Sequence, residues 1–543
     1  MRAILRTVLP FTLALAAAAP LAAQDVAMVL DSIFGAWNRT DAPGCAVGVD
    51  LGGTRTTRAW GMSNLEYGVP LTPESVLESG SVAKQFTAAA VGLLVLRGQV
   101  SLDDDLRKHI PELPDFGSPI TVRMILQHTS GLRDQWALLS IQGFPPGQEV
   151  HNFARILDLV KHQQRLNFAP GSEYLYSNTG FALAAILVSR VAGKPFAQFT
   201  ADELFRPLGM TKTQWRDDYR RIVPGRATAY ARNRDAWVLD MPFTMVHGNG
   251  GLLTTVGDML TWNDALSTGR IPGGPELVRM LETTGQLTDG SPINYALGLT
   301  VDQYRGLREV SHGGSTAGYR TFLARWPERA LSVAVFCNAA SANTGRDAHA
   351  VADRLLGLSA NPAPPSPAVP IAVAELDALA GIYRDSTSDQ FVTFAVRDGA
   401  IVVSGGGQGA PLAHLGNLRF WSPAAGTFTF EREGAGHRVV NFQNAWRRYA
   451  RYVPIDTARV PLGDYAGAYR SPELDVTFEI VVDSGRLVLR QRPAETLQLT
   501  PLYIDGFRAQ GQTIRFMRDG SGRVSGLRIF AGRARDVRFE RIR

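Results

Sequence analysis

Gly80-Ser81-Val82-Ala83-Lys84, followed by the apolar run Gln85 to Leu96 and stopped by Arg97-Gly98, is the stretch that decides how this chain is read. The run from Ala83 to Leu96 predicts a buried helix ended by a glycine. Three residues along such a helix put Lys84 on the same face as Ser81, about one turn on. A serine hydroxyl is a poor nucleophile until a base takes its proton. A lysine serves as that base only when burial or neighbouring charge lowers its pKa. The apolar helix supplies the burial, and its N-terminus presents N–H groups to a developing oxyanion. Ser-x-x-Lys is a short pattern, but the chain has only five lysines, and no other serine has a lysine three residues on.

Two further clusters lie downstream. Tyr176-Ser177-Asn178 follows the turn residues Pro170-Gly171 and precedes a helix, Phe181 to Val191. A phenol can relay a proton, and an amide can fix both a substrate carbonyl and a lysine. His312-Gly313-Gly314-Ser315 opens a strand region, where two glycines admit close approach of a substrate to the backbone. Each cluster has an ordinary alternative: an N-cap serine with a surface lysine, a loop tyrosine with an N-cap asparagine, a glycine turn beside a core histidine.

Taken together, Ser81-x-x-Lys84, Tyr176-x-Asn178 and His312-Gly313-Gly314 resemble, in order and separation, the three motifs of the class C β-lactamase and penicillin-binding family. D-Alanyl-D-alanine carboxypeptidases, D-aminopeptidases and esterases are among its members. Leu126-Gln127-His128-Thr129-Ser130-Gly131-Leu132, Pro207-Leu208-Gly209-Met210-Thr211 and Gly250-Gly251-Leu252 are similar to side signatures of the same family. The resemblance spans about residues 35–355. It implies an α+β fold, an antiparallel sheet with a helical subdomain, and a serine hydrolase working through an acyl-enzyme. It assigns Ser81 as nucleophile, Lys84 as base and Tyr176 as proton shuttle, with Asn178 positioning substrate. The amides of Ser81 and Ser315 would form the oxyanion hole, and His128 takes a structural role. No cofactor or metal is implied. The expected partner is a small-molecule or peptide substrate, peptidoglycan-derived fragments included, with D-amino-acid peptides favoured over esters. β-Lactam hydrolysis and a non-catalytic binding protein on the same fold are the alternatives. One departure bears on this choice: the family's β-lactamases carry Lys-Thr-Gly where this chain has His312-Gly313-Gly314, and histidine is mostly neutral near pH 7.

The rest of the chain frames this domain. The 543 residues are 45% apolar and 20% charged, ordinary globular composition that excludes a largely disordered chain. Arg2 and Arg6, the apolar run Val8 to Leu21 and Ala22-Ala23 read as an export signal over residues 1–23, which predicts a periplasmic or secreted protein without a membrane span after its removal. The catalytic domain is expected over 24–358. Cys45 and Cys337 can pair only if the fold brings their strands together; otherwise they are buried small hydrophobes. Tyr319 to Trp326 and Leu331 to Cys337 read as a hairpin across Pro327-Glu328-Arg329. Thr255 and Asp258 read as a capping box.

Residues 359–370 hold five prolines and read as a linker. Beyond it the chain repeats: Gly381-Ile382-Tyr383-Arg384 returns as Gly467-Ala468-Tyr469-Arg470. Phe430, Arg432, Gly434 and Gly436 return as Phe516, Arg518, Gly520 and Gly522, at the same offset of 86. Two small antiparallel barrels, similar to lipocalin-like barrels appended to some of these hydrolases, are expected over 371–457 and 458–543; a single large sandwich is the alternative. In such relatives a barrel loop enters the active site, but no residue here identifies one. Residues 371–543 carry 23 arginines against 18 acids, dispersed rather than clustered, which argues against nucleic-acid binding. Absence of His-x-His, His-Glu-x-x-His, Gly-x-Ser-x-Gly and Walker patterns sets aside zinc hydrolases, α/β-hydrolases and nucleotide-binding enzymes. The oligomeric state is left open.

Overall fold

The computed structural model describes residues 23–145, 147, 149–358, 369–385, 391–404, 409–422, 426–433, 436–442, 446–452, 461–491 and 495–542. The expected export signal, save its last residue, and most of the Pro-rich segment lie outside the described residues.

The catalytic domain is built on a six-stranded antiparallel sheet. Its order is Thr300–Tyr304, Leu307–Thr316, Tyr319–Trp326, Leu331–Cys337, Cys45–Leu51 and Thr54–Trp60. Alternation along Cys45–Leu51 explains how the sheet is covered. Cys45, Val47 and Val49 face one apolar cluster with Val26, Leu30 and Phe34 of the helix Ala23–Phe34 and Val351 and Leu355 of the helix Thr344–Leu356. Ala46, with Ala334 and Phe336, belongs to the other cluster, which holds Val256 and Leu260 of the helix Val256–Thr268. The chain's two ends of this domain therefore pair in the middle of the sheet. Cys45 and Cys337 are register partners there and form a disulfide that closes a loop of 292 residues. The hairpin across residues 327–329 forms with the expected bounds.

The helix Lys84–Leu96 has buried residues on every face through Leu94, so it runs through the middle of the helical subdomain rather than along its surface. It packs on the helix Asn178–Ala192, which ends at Gly193 in the left-handed conformation. Thr255 caps its helix through the Asp258 N–H at 3.2 Å. The Asp258 carboxylate does not reach back to complete a box; it accepts from Lys212 N and Thr213 Oγ1.

The C-terminal part holds two β units. The second is a closed barrel of eight strands from Gly467–Ser471 to Ala534–Ile542, with first and last paired. In the first, Gly381–Arg384 likewise pairs with Trp446–Tyr452. The 86-residue offset recurs in contacts. Tyr383 donates to Leu379 O at 2.9 Å and packs edge-on to Phe430; Tyr469 donates to Tyr465 O at 2.8 Å and packs edge-on to Phe516. The first unit departs from the expected closed barrel. Where the second has one strand, Glu495–Tyr503, the first has Ala410–Pro411 and Ala413–His414, split at Leu412. Pro411 has no N–H to give a ladder. The result is a nine-strand order that starts and ends at those two short pieces.

Candidate active site

Ser81 follows Gly80, whose φ of +52° few side chains tolerate, and sits in the 3-10 turn Gly80–Ala83 that leads into the buried helix. A Cβ on Gly80 would lie 2.6 Å from Ser315 N, and one on Gly314 would lie 2.1 Å from both Ser79 O and Thr321 Oγ1. The strand Leu307–Thr316 thus approaches the Ser81 turn backbone to backbone, and the glycines are what permit it. This places the Ser315 amide beside the Ser81 turn, as the sequence reading requires.

Lys84 is buried, and its Nζ has three partners: Ser81 Oγ at 3.0 Å, Asn178 Oδ1 at 2.9 Å and Asn249 O at 2.5 Å. Desolvation lowers its pKa well below the ordinary 10.5, and the Arg533 charge lowers it further. A neutral amine has two N–H groups and one lone pair. Two of its partners, a side-chain amide oxygen and a backbone carbonyl, can only accept. Once the amine is neutral, its lone pair is left for the Ser81 hydroxyl, which is the arrangement a base needs.

Asn178 opens its helix, and Asp134 fixes it: Asp134 Oδ2 accepts from Asn178 N and Nδ2, both at 2.8 Å. Asp134 Oδ1 caps the helix Gln135–Gln142 through the Trp136 N–H at 3.0 Å. Tyr176 is held by His128, whose ring lies 4.1 Å away, tilted by 37°, and whose Nδ1 accepts from Ser177 N at 3.1 Å. Burial, above all, lowers the His128 pKa well below the ordinary 6.5. Burial pushes the Tyr176 pKa up, the neighbouring Ser81 hydroxyl opposes this, and the phenol stays protonated with no hydrogen bond of full geometry. The ring lies 4.8 Å from Lys84 Nζ.

His312 is also buried. Its pKa falls to about 3, through desolvation above all. Its Nδ1 lies 2.6 Å from Gly313 O, and its Nε2 lies 2.8 Å from the Tyr295 hydroxyl. Since the carbonyl can only accept, Nδ1 carries the proton and Nε2 accepts from the phenol. His312 therefore supplies no cation where the family's β-lactamases have lysine.

Sequence reasoning missed four participants. Asn249, Asp134 and Tyr295 reach the centre only through tertiary packing. The fourth is Arg533, in the turn between the last two barrel strands. Its guanidinium lies 4.6 Å over the Tyr176 ring. The barrel is anchored around it: Arg133 pairs with Glu473 at 2.6 Å, both buried, and donates to Arg535 O and Asp536 O. Arg533 O accepts from Asp134 N and Asn167 Nδ2. A barrel turn does enter the cleft, a space of about 950 Å³ lined by Ser81, Tyr176, Asn178, His312 to Ser315 and Arg533.

The β-lactamase family profile matches residues 29–358, and the chain belongs to that family. A D-aminopeptidase of Gluconobacter oxydans (strain 621H) is 27% identical over 532 residues, covering 93% of this chain and 97% of that protein. A D-aminopeptidase of Brucella canis is 25% identical over 531 residues, covering 92% and 96%. The octameric penicillin-binding protein homologue from Pyrococcus abyssi shares the fold with a TM-score of 0.55 at 20% identity, over 87% of this chain and 99% of that one. D-amino acid amidase from Ochrobactrum anthropi SV3, solved with D-phenylalanine, gives 0.52 at 21% identity, over 62% and 98%. The protein is a serine hydrolase of the β-lactamase and penicillin-binding family.

Proposed function

We propose that this hydrolase acts on D-amino-acid amides and peptides through an acyl-enzyme on Ser81. The observation that carries the reading is the desolvated Lys84 amine, whose Nζ lies 3.0 Å from Ser81 Oγ. In this mechanism Lys84 takes the Ser81 proton as Oγ attacks the carbonyl carbon. The amides of Ser81 and Ser315 receive the oxyanion. Tyr176 gives its proton to the departing amine and is reprotonated by the Lys84 ammonium. Water then attacks the acyl carbon, its proton passing through Tyr176 to Lys84, and Ser81 Oγ leaves by taking that proton back from the Lys84 ammonium. Asn178 holds Lys84 and the substrate carbonyl.

Similarity to D-aminopeptidases across nearly the whole chain, barrels included, supports the choice of D-amino-acid substrates. The neutral His312 argues against efficient β-lactam turnover, because the permanent cation of the β-lactamase motif is missing. The export signal read in residues 1–23 and the Cys45–Cys337 disulfide both support a periplasmic or secreted location. The test is hydrolysis of D-alanine p-nitroanilide against its L enantiomer, an activated short-chain ester and a penicillin. A D-over-L preference with slow penicillin turnover supports the reading. Rapid penicillin turnover, or no stereochemical preference, overturns it.

A further inference from the structure

Arg533 is the sole C-terminal residue lining the cleft among the described residues. The other two cleft guanidiniums are each tied to the wall of the fold. Arg216 is bound to Glu78 through two bonds of 2.9 Å, and Arg320 donates to the carbonyls of Ala317 and Tyr319. Arg533 is different. Its side chain is 48% exposed, and among the described residues its guanidinium donates no hydrogen bond. Its nearest acid, Asp134, stands 3.9 Å away, and the facing oxygen already accepts two hydrogen bonds from Asn178.

The guanidinium packs over the Tyr176 ring. A guanidinium seated on an aromatic face keeps the N–H donors along its edge free, in the fork that matches a carboxylate. The backbone beneath it is fixed by Asp134 and Asn167, so the charge is held in place rather than swinging from a loose loop. The cleft thus has, against the Tyr176 ring, a half-exposed cation with open donors, and it comes from the barrel.

We propose that Arg533 is the carboxylate receptor of this site, so that the enzyme selects substrates carrying a free carboxylate near the scissile bond. This rests on the acyl-enzyme reading above and adds the substrate's charge to it. The carboxylate can come from the leaving residue or from the acyl side, and the two sources are separable. D-Alanyl-D-alanine against its C-terminal amide tests the first. N-Succinyl-D-alanine p-nitroanilide against the N-acetyl compound tests the second.

In the wild type, one pair should favour its carboxylated member by about tenfold or more in kcat/KM, as expected for a charge-assisted bidentate contact. Arg533→Gln should collapse that ratio to about one, chiefly through KM, and Arg533→Lys should keep part of it. The ratio is the readout because any influence of Arg533 on Lys84 falls on both members alike. No preference in either pair, or a preference that survives Arg533→Gln, overturns the proposal. A matched pair of serine-directed phosphonates, with and without a carboxylate, separates the two readings. No label on Ser81 refutes the acyl-enzyme mechanism; equal labelling rates refute the role of Arg533.

Discussion

Lys84 Nζ lies 3.0 Å from Ser81 Oγ while its other two partners, Asn178 Oδ1 and Asn249 O, are acceptors that consume its N–H groups. A lysine in that setting is a base only when it is unprotonated, and burial favours that form by lowering its pKa well below the ordinary value. The acylation rate should therefore rise with pH on a limb well below 10.5, the ordinary lysine value. His312, at about 3, lies too low to produce that limb. Lys84→Arg, permanently protonated, should lower acylation by about 10²–10⁴-fold. Stopped-flow acylation across pH checks both; a Lys84→Arg variant of near-normal rate would remove Lys84 from the chemistry.

His312 stays neutral in the fold down to about pH 3, whereas an unfolded histidine titrates near 6.5. Below 6.5 the unfolded chain therefore binds a proton that the folded chain refuses, and stability falls as pH drops from 6.5 toward 3. His312→Gln should flatten that acid limb by roughly one proton's worth, about 1.4 kcal/mol per pH unit. Urea unfolding at several pH values between 4 and 7 would read it. An unchanged slope would mean that His312 is charged in the folded protein.

Glu473 and Arg133 form a buried pair that joins the barrel to the helical subdomain. Removing one partner leaves a buried charge without compensation. Glu473→Ala should cost about 3–5 kcal/mol of unfolding free energy. Arg133 adjoins Asp134, which anchors Asn178, so kcat should fall as well. Equilibrium denaturation and steady-state kinetics on one variant test the two effects together. A variant as stable as the wild type would show that the barrel's docking does not depend on this pair.

Much of this site could be read in the sequence because Ser81 and Lys84 are three residues apart, a separation that a helical turn translates directly into proximity. The hairpin across residues 327–329 was legible for a similar local reason: two apolar runs flank a proline-led turn. Long-range participants left no such trace. Asn249 meets Lys84 from 165 positions away, and Asp134 meets Asn178 from 44. Neither stands out in a window of sequence. Arg533 was one arginine among 23 in the C-terminal part, and only the docking of the barrel singles it out. The cysteine pairing needed the strand register that sets Cys45 opposite Cys337. The broken strand at Leu412 was hidden because the repeat match marks only the two ends of the unit.

Gly314 touches both the Ser79 carbonyl and Thr321, with no room for a methyl group. Gly314→Ala should push the Ser315 amide away from the Ser81 turn. Acylation should drop by about 10²–10³-fold, the scale of a lost oxyanion donor, with a stability loss of about 1–3 kcal/mol from overpacking. Acylation kinetics paired with thermal melts distinguish this from simple unfolding. A melt near the wild-type temperature with normal acylation would show that the strand's close approach is dispensable.

The central claim is that Ser81 is acylated. Intact-protein mass spectrometry after incubation with an activated D-alanyl ester and, separately, a penicillin, followed by peptide mapping, tests it most directly. The account predicts a single acyl adduct on the peptide bearing Ser81, lost in Ser81→Ala. An adduct that persists in Ser81→Ala, or one that maps to another residue, would contradict it.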